Sequence, residues 1–219
     1  PAALFAAHLR RFSEIVKETA LDALTGIGGM AWFNVAYARQ LLQADSGRAP
    51  SFDFAAAMSY NTPTPPEYSG IDQEASALVA LFKQHGVPQT ELWNVEWAYF
   101  EMLNVGRGEW QNTGVAQEQI AAYTIRHHLF GLSSGLTRLI PGTNIYAGRT
   151  PFFKNFGHSM SEGRASALRY DLTPHPLLPA YATMTRLLEG ARFVKALTAG
   201  DPSVNCQIYR ANADNSTRA

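Results

Sequence analysis

At 219 residues the chain has the length of one ordinary domain, and its 46% hydrophobic and 11% aromatic content is enough to bury a sizeable core. Eighteen basic residues balance eighteen acidic ones, which leaves no net field to attract nucleic acid or an anionic membrane and favours a neutral or modestly charged small partner. Cys206 is the single cysteine, so intrachain disulfides and a CxxC metal or redox site are excluded, and its expected place is as a small buried apolar side chain.

Phe5, Leu9, Phe12 and Val16 recur at helical spacing with Arg10, Arg11, Glu14 and Lys17 between them, which predicts an amphipathic first helix. The charged opening does not read as a signal peptide, and no apolar run approaches the roughly 20 residues that cross a bilayer. Because Pro1 already lies inside a helical pattern, the natural N-terminus is expected upstream and no compartment can be read. A strand over 23–28 and a helix over 31–42 follow, and the Ser46-Gly47-Arg48-Ala49-Pro50 cluster breaks that helix before a buried strand over 52–60. The prolines of Asn61-Thr62-Pro63-Thr64-Pro65-Pro66 remove donors and restrict their neighbours, which predicts an exposed loop after the strand.

A helix over 73–85 stops at Gly86, and Glu91-Leu92-Trp93-Asn94-Val95-Glu96-Trp97 reads as the next strand, with an acid at its exit. A helix over 116–130 and a short strand over 136–140 come next. An irregular stretch then runs to about residue 176, before a last helix over 180–189 and an edge strand over 206–210. Alternating strands and helices with near-continuous apolar strands predict a parallel sheet covered by helices. Only about four such strands are present, where a closed barrel has eight strands and about 250 residues.

The strand ending in Glu96, its flanking helices and the segment LLPAYATMTRLLEGARFV together resemble the clan of retaining glycoside hydrolases on TIM barrels that includes β-xylosidases, α-L-iduronidases and cellulases. The resemblance covers nearly the whole chain. It implies an α/β fold that is a partial (β/α)8 barrel, roughly its strands five to eight, over 1–198. Residues 199–219 would begin an accessory β-structure or tail.

In that clan the nucleophile is a Glu at the end of the seventh strand, in a pattern like apolar-Trp-x-x-Glu-aromatic, which Leu92-Trp93-Asn94-Val95-Glu96-Trp97 matches. The preceding strand often ends in His-x-Tyr; here Met58 stands for the His and Tyr60 is kept, so by analogy Tyr60 hydrogen-bonds and orients Glu96. The eighth strand commonly carries a Trp, where this chain has Leu139-Ile140-Pro141-Gly142. The clan's acid/base Glu would lie upstream of Pro1, in the missing N-terminal half of the barrel. Two carboxyls about 5 to 5.5 Å apart are needed for retention, so the segment alone is expected to be inactive.

An acid inside an apolar, Trp-flanked strand is expensive to bury without a purpose, which singles out Glu96 on physical grounds too. Glu91 and Glu101 flank the strand, but both read as solvated positions. Trp93, Trp97, Tyr99, Trp110 and Tyr146 cluster near predicted strand exits, where aromatic faces can stack on sugar rings, although each alone reads more readily as core packing. The adjacent His127 and His128 point to different faces of a helix and cannot form an i, i+4 metal pair. No metal and no cofactor are expected, and no GxSxG elbow is present.

Two other readings compete. Gly26-Ile27-Gly28-Gly29-Met30-Ala31 matches GxGxxA between a predicted strand and helix, as a dinucleotide-binding oxidoreductase requires, but no acid ends the next strand. A barrel that holds carbohydrate on its aromatics without hydrolysing it is the second. The expected reaction is glycoside hydrolysis by double displacement on a glycoside or oligosaccharide, with no nucleic acid or membrane partner.

Overall fold

The structure, a computed structural model, describes residues 2–44, 51–61, 63–87, 90–99, 103–104, 110–111, 115–142, 144–146, 166–168, 172–198, 200–201 and 204–210. Its contacts divide into two units. One comprises residues 1–60, 70–97 and 134–142, the other 61–69, 98–133 and 143–219.

The first unit is an α/β layer. Helix α1 (Ala2–Thr19), strand β1 (Gly26–Ala31), helix α2 (Val35–Ala44), strand β2 (Phe54–Met58), helix α3 (Ile71–Gln84) and strand β3 (Glu91–Glu96) follow one another along the chain. β1, β2 and β3 lie side by side and parallel, and strand β6 (Arg138–Leu139) adds a fourth parallel member beside β3. The helices form a row, α1 against α2 and α2 against α3. This is the helix-covered parallel sheet that alternating apolar strands and amphipathic helices demand, because each βαβ crossover places its helix on a sheet face.

Packing explains the residue choices. Ala55, Ala56 and Ala57 of β2 are all buried, and their small side chains leave room for the larger residues of neighbouring elements. On α3, Ala75, Leu78, Leu81 and Phe82 form the buried stripe, and Phe82 meets Phe52 edge-on at 6.2 Å. Each such Leu or Phe contributes about 1.5–3 kcal/mol by leaving water. Below the sheet, Asp53 ties β1's approach to β2's: its carboxylate accepts from the Thr25 N–H at 2.8 Å and pairs with Lys17 at 3.2 Å.

The boundaries of β1 and α2 differ from the sequence expectation. β1 starts at Gly26 instead of 23, and α2 starts at Val35 instead of 31. Gly29 takes a left-handed φ of 70° where the β1–β2 register shifts, which extends the strand through Ala31. Asn34 then caps the helix, its Oδ1 accepting from the Tyr37 N–H at 2.9 Å.

The second unit contains β4 (Leu103–Asn104) paired with β5 (Trp110–Gln111), and β7 (Asn144–Tyr146) paired with β8 (Ser166–Leu168) in a stretch read from sequence as irregular. Helix α4 (Gln117–Ser133) packs against helix α5 (Leu177–Leu188). α5 begins three residues before the expected 180, with Pro179 in its first turn, where the missing N–H has no helical partner to lose. The buried residues of α4 are Ile120, Ala121, Thr124, His127, His128 and Gly131. Both histidines are buried, but His127 meets Tyr99 and His128 meets Tyr181, so the adjacent rings pack against different neighbours.

The unit closes on a hairpin that the sequence reading only half identified. β10 (Asn205–Arg210) pairs antiparallel with β9 (Arg192–Thr198), a stretch to which the sequence assigned no element. Gly190, with φ of 69°, ends α5 and frees the chain to extend. The domain boundary expected at 198/199 falls inside this hairpin. Tyr209 Oη donates to the Leu129 carbonyl at 3.0 Å and Gln207 Nε2 to Ser133 Oγ at 3.2 Å, which fixes the face of β10 that meets α4. Strand alternation then turns Cys206 the other way, and it is exposed rather than buried.

Glu67 and Arg126 form a two-pronged ion pair at 2.5 and 2.6 Å, joining the turn Pro66–Tyr68 to α4. Burial alone would raise the Glu67 carboxyl, but the Arg126 hydrogen bonds and charge outweigh it and hold the group below its ordinary value. A depressed carboxyl stabilises the fold above its unfolded-state value and loses that contribution as pH falls through the folded one. With Arg126 40% exposed, Glu67→Gln is expected to cost about 1 kcal/mol at neutral pH. Paired urea titrations should show the difference from wild type shrinking as the pH falls below the ordinary glutamate range.

Candidate active site

The exits of β2 and β3 bring together the two residues that the sequence singled out. Glu96 is the last residue of β3 and its side chain is exposed; Tyr60 lies two residues beyond the end of β2. Tyr60 Oη donates a hydrogen bond to Glu96 Oε1. Burial first, then the hydrogen bond and negative charge of Glu96, push the Tyr60 phenol above its ordinary value, so it stays a donor at all physiological pH.

The pair is positioned by backbone. The β2–β3 register shifts at the exit, so that Met58 stands opposite Glu96 although Ala57 stands opposite Asn94, and such a bulge re-aims the side chains beyond it. The Ser59 N–H donates to the Glu96 carbonyl at 2.9 Å. Asn94, fully buried two residues before Glu96, donates from Nδ2 to Ser59 Oγ at 2.8 Å. Sequence reasoning missed Asn94 and Ser59. The available signal was a carboxamide in an apolar strand, since a buried amide requires a partner.

The proposed sugar platforms fare differently. Trp93 stacks on Phe54 with ring centroids 3.8 Å apart, carries the Arg138 guanidinium at 4.8 Å, and donates from Nε1 to Glu91 Oε2 at 2.6 Å. Three residues before Glu96, it sits about 10 Å back along the strand, so it packs within the sheet and not at the exit. Trp97 and Tyr99 are each only 1% exposed, which leaves neither ring open to a sugar. Tyr99 instead packs edge-on against Tyr123 at 5.2 Å. The side chains of Trp110 and Tyr146, and Glu101 altogether, lie outside the described residues.

Glu91 stands at the entrance of β3, about 17 Å from Glu96 along the strand. Its hydrogen bond from Trp93 Nε1, with the Arg138 and Thr137 hydrogen bonds, holds its carboxyl below the ordinary value. It is a structural anion at the opposite end of the strand from Glu96. The GxGxxA residues are strand β1 itself, and a Cβ at Gly26 would overlap the Phe54 ring. A dinucleotide fingerprint needs those glycines in a turn that opens a helix, whereas here they are paired within the sheet and α2 starts only at Val35.

No protein-family model matches the chain, and no curated protein matches it. Among solved structures, the chain is similar to a glucosidase from Croceicoccus marinus, with TM-score 0.64 and 14% identity over 98% of this chain and 40% of that one. It is also similar to a family 39 glycoside hydrolase from the gut symbiont Bacteroides cellulosilyticus WH2, with TM-score 0.59 and 13% identity over 92% of this chain and 48% of that one. The chain thus spans less than half the length of either protein. It has an α/β fold, with a parallel sheet of four strands, of the kind found within these glycoside hydrolases.

Proposed function

We propose that this chain carries the nucleophile half of the active site of a retaining glycosidase. The observation that supports it is the Tyr60–Glu96 hydrogen bond at the exits of two adjacent parallel strands, in a fold similar to that of two glycoside hydrolases. In open and closed parallel α/β sheets alike, ligands bind at the carboxyl ends of the strands.

In this reading, the four parallel strands are strands five to eight of a (β/α)8 barrel, and the polypeptide preceding Pro1 supplies the others together with the acid/base. Glu96 Oε attacks the anomeric carbon as the glycosidic C–O bond breaks, and the leaving oxygen takes a proton from the upstream acid. Water then attacks the same carbon, giving its proton to that residue's carboxylate and returning Glu96 as the free anion. Tyr60, bonded to one carboxylate oxygen, limits rotation of the group and leaves the other oxygen to attack. The substrate is a glycoside or oligosaccharide.

A 2-deoxy-2-fluoro glycoside with a good leaving group tests this directly, because the fluorine slows both oxocarbenium-like steps while the leaving group speeds only formation of the glycosyl ester, which therefore accumulates. Incubation with the polypeptide extended upstream of Pro1, followed by peptide mass mapping, should find the sugar on Glu96. A sugar attached to another carboxylate would reject the assignment. Sugar binding with neither labelling nor turnover would favour a carbohydrate-binding protein.

A further inference from the structure

β6 leaves the sheet through Ile140, Pro141 and Gly142, and this strip of backbone runs beside the exit of β3. The Ile140 N–H donates to the Asn94 carbonyl at 2.8 Å and the Gly142 N–H to the Trp97 carbonyl at 2.8 Å, one bond on each side of Glu96. Pro141, which has no N–H to place, stands between them. The strip is therefore pinned at both ends across the candidate nucleophile.

At its far end the space for a side chain is tight. A Cβ on Gly142 would lie 3.1 Å from Glu96 Cγ and 3.1 Å from Tyr60 Oη, with the Trp97 carbonyl oxygen at 3.6 Å. The backbone of Gly142 is not left-handed, so its conformation would accept any residue; what disfavours a side chain is the space. Elsewhere the glycines are not generally crowded: Gly28, Gly29, Gly70, Gly86 and Gly200 have nothing within 4 Å of where a Cβ would stand.

We infer that Gly142 is a positioning residue for Glu96, its bare Cα reserving the volume in which the Tyr60 hydroxyl meets the carboxylate. An added methyl group cannot be relieved by retreat of the strip without stretching the Gly142–Trp97 hydrogen bond, so the two side chains must give instead. Displacement by a few tenths of an ångström degrades the distance and angle on which the Tyr60–Glu96 bond depends. The catalytic consequence rests on Glu96 being the nucleophile, whereas the geometric one does not.

The test is Gly142→Ala in the 219-residue chain, labelled with 13C at tyrosine Cζ and read by NMR, with Tyr60 assigned from the signal lost in Tyr60→Phe. In wild type Tyr60 should remain protonated at about pH 11, where an ordinary tyrosine is mostly ionised. In Gly142→Ala, with the Glu96 hydrogen bond weakened but the ring still buried, it should ionise at a clearly lower pH than in wild type while the thermal melt stays cooperative. In the upstream-extended polypeptide, kcat should fall about tenfold with KM nearly unchanged.

Tyr60 titrating in Gly142→Ala as it does in wild type would overturn the inference. Should Gly142→Ala fail to fold, it is to be combined with Tyr60→Phe, which removes one of the two close contacts: recovery of folding supports the inference and continued failure overturns it. If Glu96→Gln proves fully active, the glycosidase reading falls, while the tyrosine titration still decides the role of Gly142.

Discussion

Glu96→Gln, in the polypeptide extended upstream of Pro1, is expected to hydrolyse aryl glycosides roughly 10⁴-fold or more slowly than wild type, the scale on which removal of a single catalytic nucleophile acts. The substitution keeps the size of the side chain, and the Gln carbonyl oxygen can still accept from Tyr60 Oη, so the local geometry of the strand exits persists. What is lost is the anion that forms the bond to the anomeric carbon. KM should therefore change little and the whole effect should fall on kcat.

Tyr60→Phe should be milder, about 10- to 100-fold, because it removes one hydrogen bond to a charged group and not the charge itself. The ordering of the two variants distinguishes a nucleophile held by a tyrosine from two residues that merely pack together. Steady-state kinetics on a panel of aryl glycosides provides the check. Activity that survives Glu96→Gln would move the chemistry to another residue.

Lowering the pH from about 6.5 is expected to destabilise the second unit steeply, and His127 is the principal cause. It is 1% exposed within the buried stripe of α4, beside Tyr99 at 6.1 Å. Burial, and secondarily repulsion from His128, depresses its imidazole to about 3. An unfolded histidine takes up a proton near pH 6.5, so between that value and the folded one the unfolded state binds more protons than the native state. The stabilisation is accordingly complete above pH 6.5 and declines as the pH falls, by up to about 1.4 kcal/mol per unit.

Over the full window this sums to several kcal/mol, more than the Glu67–Arg126 pair supplies. His127→Gln, which cannot titrate, should show lower stability at neutral pH and a flatter dependence between about pH 6 and 4. Urea unfolding at half-unit intervals measures both slopes. Equal slopes in the two proteins would assign the acid sensitivity elsewhere.

Periodicity alone was enough to place α1, α2, α3 and α4, together with the strands that alternate with them. Leu9 on α1 and Leu78 and Phe82 on α3 recur at helical spacing and are buried as that spacing requires. The acid at the exit of an apolar strand was equally legible, since an apolar run ending in Glu96 records its own exception. Gly86, with φ of 75°, was a readable helix stop for the same reason: the signal and the structure it sets are adjacent in the chain.

Contacts between residues distant in sequence were decided only by the tertiary structure. Trp97 and Tyr99 could be read as platforms or as packing, and burial made them packing. The GxGxxA run looked like a turn until the register of β1 against β2 put it inside the sheet. β9 was hidden behind the helix it follows, because a strand's identity depends on a partner, here β10, that local spacing does not specify. Gly142 read as a departure from a resemblance; its crowding against Tyr60 and Glu96 arises from three strand exits converging through hydrogen bonds that span 36 residues and more. Helical and strand periods are properties of neighbouring residues, whereas the room left for a side chain depends on every element that packs around it.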